Sequence, residues 1–407
     1  MTEVLKRRQI PEGVRDLLPD LAGQKRKLEE FIQQVFSRWG YREVSTPAFE
    51  YSEIFAADLK AGLENSIYRF PDEQGRMLVL RPDFTLPIAR VVAVHFAEGP
   101  LPLRLCYGGE IFRYAGGLQG KQRALTQAGV ELMGDATPGS DAEVVALAAA
   151  VLQEAGLDEF TLCLGHVGFL DLLLAAYDLL PQDVEKIKLL FNKKDFVTLK
   201  EMVTKLKISE QAKESIMQIP LLRGGVEVLT KARALLPAGA NVQPLELLQE
   251  IWSVLEDYKV TQFVTLDLGM VRMMNYYTGM VFEGYTNGLG YPLCGGGRYD
   301  QLLTNFGCEL SAVGFAVSLD HLLTVLTRQK KLPELLEPLF VAFDESGREN
   351  AIATAQTLRR QGAVVIVDLK AATYEEAFQA GCRLGATRLL YCTDNDIFDA
   401  DLDRGQV

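Results

Sequence analysis

Apolar positions in the first third of the chain change from a helical period to a strand period. Residues 21–39 carry apolar side chains at helical spacing, and Gly40 follows as a typical helix end. Apolar runs typical of strands then occupy residues 43–49, 77–80, 101–106, 110–114 and 125–132. Turn residues separate these runs at short intervals, with Tyr107-Gly108-Gly109 between two of them. This pattern predicts an antiparallel sheet preceded by a helix.

Further along the chain the period changes three more times. Residues 171–259 are rich in Leu and Lys, helical in period and interrupted by prolines, whereas strand patterns return at 263–268 and 280–285. A Pro-bounded segment at 333–338 precedes alternating strand and helix patterns, which favour a small parallel α/β domain. We therefore predict one domain from residues 1–170 and 260–330, a helical insertion over 171–259, and a C-terminal domain over 339–407.

Composition narrows the class of protein. The 407 residues are 48% hydrophobic and 24% charged, which is typical of a globular protein, and the net charge of −12 disfavours broad contact with nucleic acid. Six scattered cysteines and three dispersed histidines predict neither disulfides nor a metal centre. The N-terminus lacks an apolar signal core, and no apolar run reaches about 18 residues. These features predict a cytoplasmic protein without membrane segments.

Four segments occur together in one known order. They are Leu80-Arg81-Pro82-Asp83-Phe84-Thr85, Phe112-Arg113 with Gln127-Ala128-Gly129-Val130-Glu131, Val271 to Glu283, and Gly295-Gly296-Gly297-Arg298-Tyr299-Asp300. In order and spacing they resemble the histidyl-tRNA synthetase family over most of residues 1–330. The resemblance implies an α+β fold, with a class II aminoacyl-tRNA synthetase-like antiparallel sheet flanked by helices. It also implies that the C-terminal domain is a shortened anticodon-binding domain.

The resemblance implies a pocket for free histidine. Its ammonium group needs oxygen acceptors, which Asp83, Thr85 and Gln127 supply, although Asp83 is one methylene shorter than the family's glutamate. Its carboxylate needs a planar cation, and Arg272 binds one bidentately. Its imidazole ring has two nitrogens that need partners. The positions that read this ring in the family correspond here to Glu131 and Tyr277, with Tyr276 beside them.

Each of these residues has a simpler interpretation when it is taken alone. The Tyr276-Tyr277 pair is more often strand core, Glu131 a surface charge and Arg272 one half of a salt bridge. The joint match of all four segments reverses that preference.

The family's ATP-binding residues are largely replaced. Motif 3 of the family corresponds to the segment from Ser311 to Leu323, where His321 stands for the phosphate-binding arginine and Ser318 for a glycine. Ala115 replaces a glutamate near adenine, and Lys121 replaces an arginine. An arginine offers a permanent charge and a fork of donors, which neither histidine nor lysine reproduces. Several such losses argue against adenylation, and the alternative is drift within a working synthetase.

The C-terminal domain argues in the same direction. Residues 339–407 carry 7 Lys or Arg against 11 Asp or Glu, a net charge of −4. An acidic tail at Asp394, Asp396, Asp399, Asp401 and Asp403 would repel RNA phosphate. We therefore expect no tRNA binding.

A pocket for histidine without adenylation resembles one branch of the family, the regulatory subunits of ATP phosphoribosyltransferase. The resemblance implies a chain with no catalytic residue, metal or cofactor of its own, within a glycosyltransferase complex that performs the first step of histidine biosynthesis. It implies feedback by free histidine, a short-form catalytic subunit as partner in a hetero-octamer of four plus four, and a homodimer core with Pro47 at the interface. The alternatives are an active histidyl-tRNA synthetase and a synthetase-like kinase regulator that binds tRNA.

Overall fold

The computed structural model describes residues 8–56, 67–114, 122–177, 179–237, 239–270 and 276–402. The chain divides into two compact units, Met1–Leu332 and Pro333–Val407. The sequence prediction that the first unit contains a separate helical insertion remains a prediction.

A nine-stranded sheet forms the centre of the first unit, in the order β1-β5-β6-β12-β11-β10-β7-β9-β8. Its strands are β1 (Arg42–Glu43), β5 (Leu103–Phe112), β6 (Ala124–Met133), β7 (Thr161–His166), β8 (Arg223–Gly224), β9 (Val264–Asp267), β10 (Met280–Tyr285), β11 (Cys294–Arg298) and β12 (Ala312–Ser318). In this spatial order, neighbouring strands of the run β5-β6-β12-β11-β10-β7 pair antiparallel. By contrast, β1 pairs parallel with β5, and β9 pairs parallel with β7. The predicted antiparallel sheet is thus present.

Helices surround this sheet. They are α1 (Pro19–Arg38), α2 (Glu53–Ala56), α3 (Thr85–His95), α4 (Pro138–Glu154), α5 (Val167–Ala175), α6 (Pro181–Lys193), α7 (Phe196–Lys205), α8 (Glu210–Gln218), α9 (Glu227–Leu235), α10 (Gln243–Asp257) and α11 (Leu319–Gln329). The helices of the segment 171–259 bury Phe191, Leu248 and Leu255 in the same core as α1, α4 and the sheet. Burial of their apolar faces therefore anchors them to the main sheet.

The prediction of two strands joined by a glycine turn at residues 107–109 is wrong. Residues 103–112 form the single strand β5, which pairs with β6 along its whole length. Gly109 has a φ of +151°, and a Cβ there would lie 2.8 Å from an Arg81 side-chain nitrogen. The glycine therefore allows another side chain to approach the strand closely and does not make a turn.

The prediction of one strand over residues 43–49 is also wrong. The chain forms β1, leaves the sheet, and then forms β2 (Phe49–Tyr51) in a separate antiparallel sheet with β3 (Arg69–Pro71) and β4 (Met77–Leu80). The Arg81 guanidinium donates hydrogen bonds to the carbonyl oxygens of Thr46 and Pro47 at 2.8 and 3.2 Å. These carbonyl groups therefore accept from a side chain, whereas in a strand they would accept from the neighbouring strand.

The second unit contains a four-stranded sheet in the order β14-β13-β15-β16. Its elements are β13 (Leu339–Phe343), α12 (Arg348–Arg360), β14 (Val365–Val367), α13 (Tyr374–Arg383), β15 (Arg388–Cys392) and β16 (Ile397–Asp401). The strands β14, β13 and β15 are parallel, as the alternating pattern predicts, whereas β16 is antiparallel to β15. The expected acidic tail is therefore partly an edge strand, in which Asp399 accepts a hydrogen bond from Arg388. Asp403 lies outside the described residues.

In the part of the chain that the structure describes, no helix is both long enough and apolar enough to cross a membrane. Nor do the His, Cys, Asp and Glu side chains of those residues form a cluster that could hold a metal ion.

Candidate functional site

A cavity of about 430 Å³ opens over the central strands of the first unit. Six of the seven residues predicted to contact histidine line it: Asp83, Thr85, Gln127, Glu131, Tyr276 and Tyr277. The seventh, Arg272, lies outside the described residues. Three sequence segments separated by many residues thus meet at one cavity.

Strand pairing explains why these residues meet. Gln127 and Glu131 lie four residues apart on β6 and therefore face the same side of the sheet. Asp83 lies in the connection between β4 and α3, and Thr85 begins α3. Tyr277 comes shortly before β10 and lines the same cavity.

Glu131 lies at the floor of the cavity and is only 2% exposed. Thr85 donates a hydrogen bond to Oε1 at 3.1 Å, and the Tyr299 hydroxyl donates one to Oε2. Burial raises the pKa of Glu131 to about 8, the two hydroxyl donors oppose that rise, and the nearby Asp83 adds to it. The carboxyl is therefore held in place, and a bound cation or N–H donor would favour its charged form.

Asp83 has an oxygen that the protein leaves without a partner. Its Oδ1 is shielded from solvent and accepts no hydrogen bond. Burial raises the pKa of Asp83, whereas Arg113 and the backbone N–H groups of Leu86 and Thr85 lower it. A buried acceptor without a donor is costly, so this oxygen favours a ligand that brings one.

The sequence reasoning did not assign a role to Tyr299, Tyr107 or Gly314, which complete this part of the cavity. Tyr107 stacks on Phe84 with ring centroids 4.4 Å apart. Gly314 lies opposite Glu131 in the sheet, and a Cβ there would be 1.8 Å from the Glu131 Oε2. Tyr299 and Gly314 belong to motifs already quoted, but only the strand register reveals that they touch Glu131.

Arg298, the neighbour of Tyr299, supports the floor of the cavity from behind. Its side chain is buried and pairs with Asp141 at 2.8 Å, with further hydrogen bonds to Ser140 and Asp300. Burial raises the pKa of Asp141 to about 6 even though Arg298 opposes the rise. Arg298 therefore acts within the protein and does not face a ligand.

We call the part of the cavity formed by Asp83, Thr85, Gln127, Glu131, Tyr276, Tyr277 and Tyr299 the amino-acid side. The part formed by Pro292, Ser318 and His321 is the motif 3 side, and both belong to the same lining. Motif 3 is a strand that leads into a helix, β12 followed by α11.

Two polar side chains on the motif 3 side have hydrogen-bond partners within the protein. The His321 Nδ1 lies 2.9 Å from the Pro292 carbonyl oxygen and therefore donates to it, since a carbonyl only accepts. The His321 ring also stacks on Tyr291 with centroids 5.6 Å apart. The Ser318 side chain accepts the His321 backbone N–H and so caps α11. Ala115 and Lys121 lie outside the described residues.

Arg113 is the one Lys or Arg among the described lining residues. Its Nε donates to the Pro82 carbonyl oxygen at 2.8 Å, which fixes the guanidinium beside Asp83. A single guanidinium in this position suits one carboxylate or phosphate group.

Comparisons with known sequences place the chain among its relatives. The family model described as histidyl-tRNA synthetase matches residues 13–322. An ATP phosphoribosyltransferase regulatory subunit from Acetivibrio thermocellus is 37% identical over 401 residues, which are 98% of this chain and 96% of that protein.

Two solved structures extend the comparison. An ATP phosphoribosyltransferase regulatory subunit/histidyl-tRNA synthetase from Bacillus halodurans C has a TM-score of 0.85 and 35% identity, over 96% of this chain and 99% of that one. A histidyl-tRNA synthetase from Nostoc sp. PCC 7120 has a TM-score of 0.80 at 20% identity, over 97% of each chain. The second likeness shows the fold alone, and it confirms the class II synthetase-like fold. The full-length similarity at 35–37% identity shows more: this chain belongs to the histidyl-tRNA synthetase-like family of ATP phosphoribosyltransferase regulatory subunits.

Proposed function

We propose that this chain is a non-catalytic regulatory subunit of ATP phosphoribosyltransferase and that its cavity binds free histidine. The observation that carries the proposal is the pair of shielded carboxyl groups, Asp83 and Glu131, at one cavity. Histidine carries N–H donors on two separate groups, the ammonium group and the imidazole ring. Each of the two carboxyl groups suits one of them. Family membership supports the regulatory role.

Arg272 and Arg113 complete the proposed histidine site. A free amino acid also has a carboxylate, which needs a cation. Arg113 supports this assignment because it is fixed at the cavity beside Asp83. Arg272 is the family's position for the same contact and remains a prediction from the sequence.

Feedback by histidine requires that the complex bind it more tightly in the inhibited state than in the active state. A ligand with equal affinity for both states shifts no equilibrium. We therefore propose that histidine bound to this chain lowers the activity of the short-form catalytic subunit.

We also propose how the chain assembles: a homodimer of this chain joins catalytic subunits in a hetero-octamer. The sheet β2-β4-β3 supports the homodimer, because it exposes Phe49, Tyr51 and Phe70 close to Pro47, the residue at the family's dimer interface. Neighbouring exposed aromatic side chains are typical of an interaction surface. Light scattering of the purified chain, alone and with its partner, measures both masses.

The decisive experiment is co-expression with a short-form catalytic subunit, followed by an assay of ATP phosphoribosyltransferase activity with and without histidine. We expect activity that depends on this chain and that histidine inhibits. A complex with Glu131→Ala should remain active at histidine concentrations that inhibit the parent, whereas the exposed Glu185→Ala control should be inhibited normally.

The same preparation tests the alternative function, an active histidyl-tRNA synthetase. Such an enzyme would exchange pyrophosphate into ATP in the presence of histidine. The engaged His321 ring and the acidic C-terminal unit favour the absence of exchange and of tRNA binding. Robust exchange by the purified chain would refute the regulatory proposal.

A further inference from the structure

Glu131 is held from two sides by hydroxyl groups that belong to distant parts of the chain. Thr85 at the start of α3 donates to Oε1, and Tyr299, which follows β11, donates to Oε2. Tyr299 lies 168 residues from Glu131 in sequence, so only the folded sheet joins them. The carboxylate thus has a defined orientation before any ligand enters.

Tyr299 is itself rigid. It is 2% exposed, and its backbone N–H donates to the Ala312 carbonyl oxygen at 2.8 Å. Its ring packs edge to face against Tyr276 with centroids 5.8 Å apart, and the preceding Arg298 is anchored to Asp141. Its hydroxyl therefore keeps one position and serves one acceptor.

Gly314 closes the remaining side of the Glu131 carboxylate. The space in which a Cβ at position 314 would lie is already filled by Oε2, 1.8 Å away, and by the Val130 carbonyl oxygen, 2.4 Å away. The carboxylate therefore lies flat against the backbone of β12.

We infer that Tyr299 is a positioning residue, whose hydroxyl holds Glu131 in one orientation and thereby fixes which ring nitrogen of a bound histidine is recognised. The inference rests on the proposed function. The two imidazole nitrogens differ in position by the width of the ring, so a fixed carboxylate accepts an N–H from one of them only. A carboxylate free to turn about its side-chain bonds would accept from either.

The charged groups around Glu131 agree with this role. Asp83 raises its pKa, and the Thr85 and Tyr299 hydroxyls lower it. Tyr107, Tyr276 and Tyr299 have pKa values well above their ordinary range because they are buried, so their hydroxyls remain donors at neutral pH. Loss of the Tyr299 donor therefore makes Glu131 both more mobile and harder to ionise.

The test compares histidine with its two ring-methylated forms, in which one nitrogen or the other carries a methyl group. Calorimetry on the parent chain should show at least about tenfold weaker binding of one methylated form than of the other, because one N–H contact to a carboxylate is lost. In Tyr299→Phe, histidine affinity should fall about tenfold, and the two methylated forms should differ by less than about threefold.

Tyr107→Phe is the matched control. It removes a tyrosine hydroxyl from the same lining, whereas the hydroxyls that donate to Glu131 are those of Thr85 and Tyr299. The control should therefore keep the parent's preference between the methylated forms, whatever its effect on affinity. A melting curve shows whether each variant folds. If Tyr299→Phe does not fold, Glu131→Asp withdraws the carboxylate from the Tyr299 hydroxyl by one methylene and should abolish the preference in the same way.

One result would overturn the inference: Tyr299→Phe keeps the parent's preference between the methylated forms, even where it weakens all three ligands by one common factor, as a purely structural change would. Failure of the parent chain to bind histidine at all would instead refute the proposed function, and this inference would fall with it.

Discussion

The two sides of the cavity share strands and differ in how their polar groups are satisfied. On the amino-acid side, Asp83 keeps a shielded oxygen that accepts no hydrogen bond. On the motif 3 side, His321 donates to Pro292, and Ser318 caps a helix. Polar groups that await a partner indicate a ligand, whereas polar groups that the protein satisfies need none. The comparison therefore supports the proposed histidine site on one side of a shared cavity.

The largest expected effect concerns the free energy of unfolding of the protein without ligand, to which Glu131 on the amino-acid side contributes. Because burial raises the pKa of Glu131 from 4.5 to about 8, the folded state holds this proton more tightly than the unfolded chain does. The contribution of Glu131 to the free energy of unfolding is fully present below about pH 4.5 and is lost as the pH rises through about 8. The loss is at most about 5 kcal/mol. Urea unfolding at pH 5 and pH 8.5 measures it.

Glu131→Gln is the control for this pH dependence. The amide has no proton to lose, so the variant should lose less free energy of unfolding between pH 5 and pH 8.5 than the parent. Asp141, whose pKa burial raises to about 6, contributes a slope of the same sign in both proteins. Equal slopes in parent and variant would show that Glu131 titrates normally and would weaken the contrast between the two sides.

A smaller effect is expected for histidine affinity. Asp83→Asn keeps the shape of the side chain and removes its charge, so histidine binding should weaken about 30-fold, the value of one hydrogen bond between charged groups. Ser318→Ala changes the motif 3 side of the same cavity and should alter the affinity by less than about threefold. Calorimetry measures both. A larger loss in the serine variant than in the aspartate variant would reverse the assignment of the two sides.

The sequence predicts the amino-acid side better than it predicts the local fold. Six residues of one cavity follow from motifs, because each motif carries residue types that histidine requires. The glycines at 108 and 109 match the pattern of a turn, although both lie inside β5 and Gly109 makes room for Arg81. Nothing in the local pattern distinguishes a glycine that turns the chain from one that makes room for a side chain.

The role of Tyr299 could not be read from the sequence for a different reason. Its contact with Glu131 depends on the register between β6 and β12 and on the path of the chain after β11. Periodicity predicts which face of a strand is buried, but it does not predict which residue of a distant strand lies opposite. Contacts of this kind require the folded sheet.

The smallest expected effect concerns restoration of the motif 3 arginine. In His321→Arg, the new guanidinium replaces a ring that donates to Pro292 and stacks on Tyr291. The sequence still departs from the family at Ser318, Ala115 and Lys121. Because one donor among several is regained, we expect no histidine-dependent exchange of pyrophosphate into ATP above that of the parent. Histidine affinity should change by less than about threefold, since the amino-acid side is untouched. Exchange that appears with this single substitution would mean that the two sides differ by one residue only, and that the chain is a synthetase one step from activity.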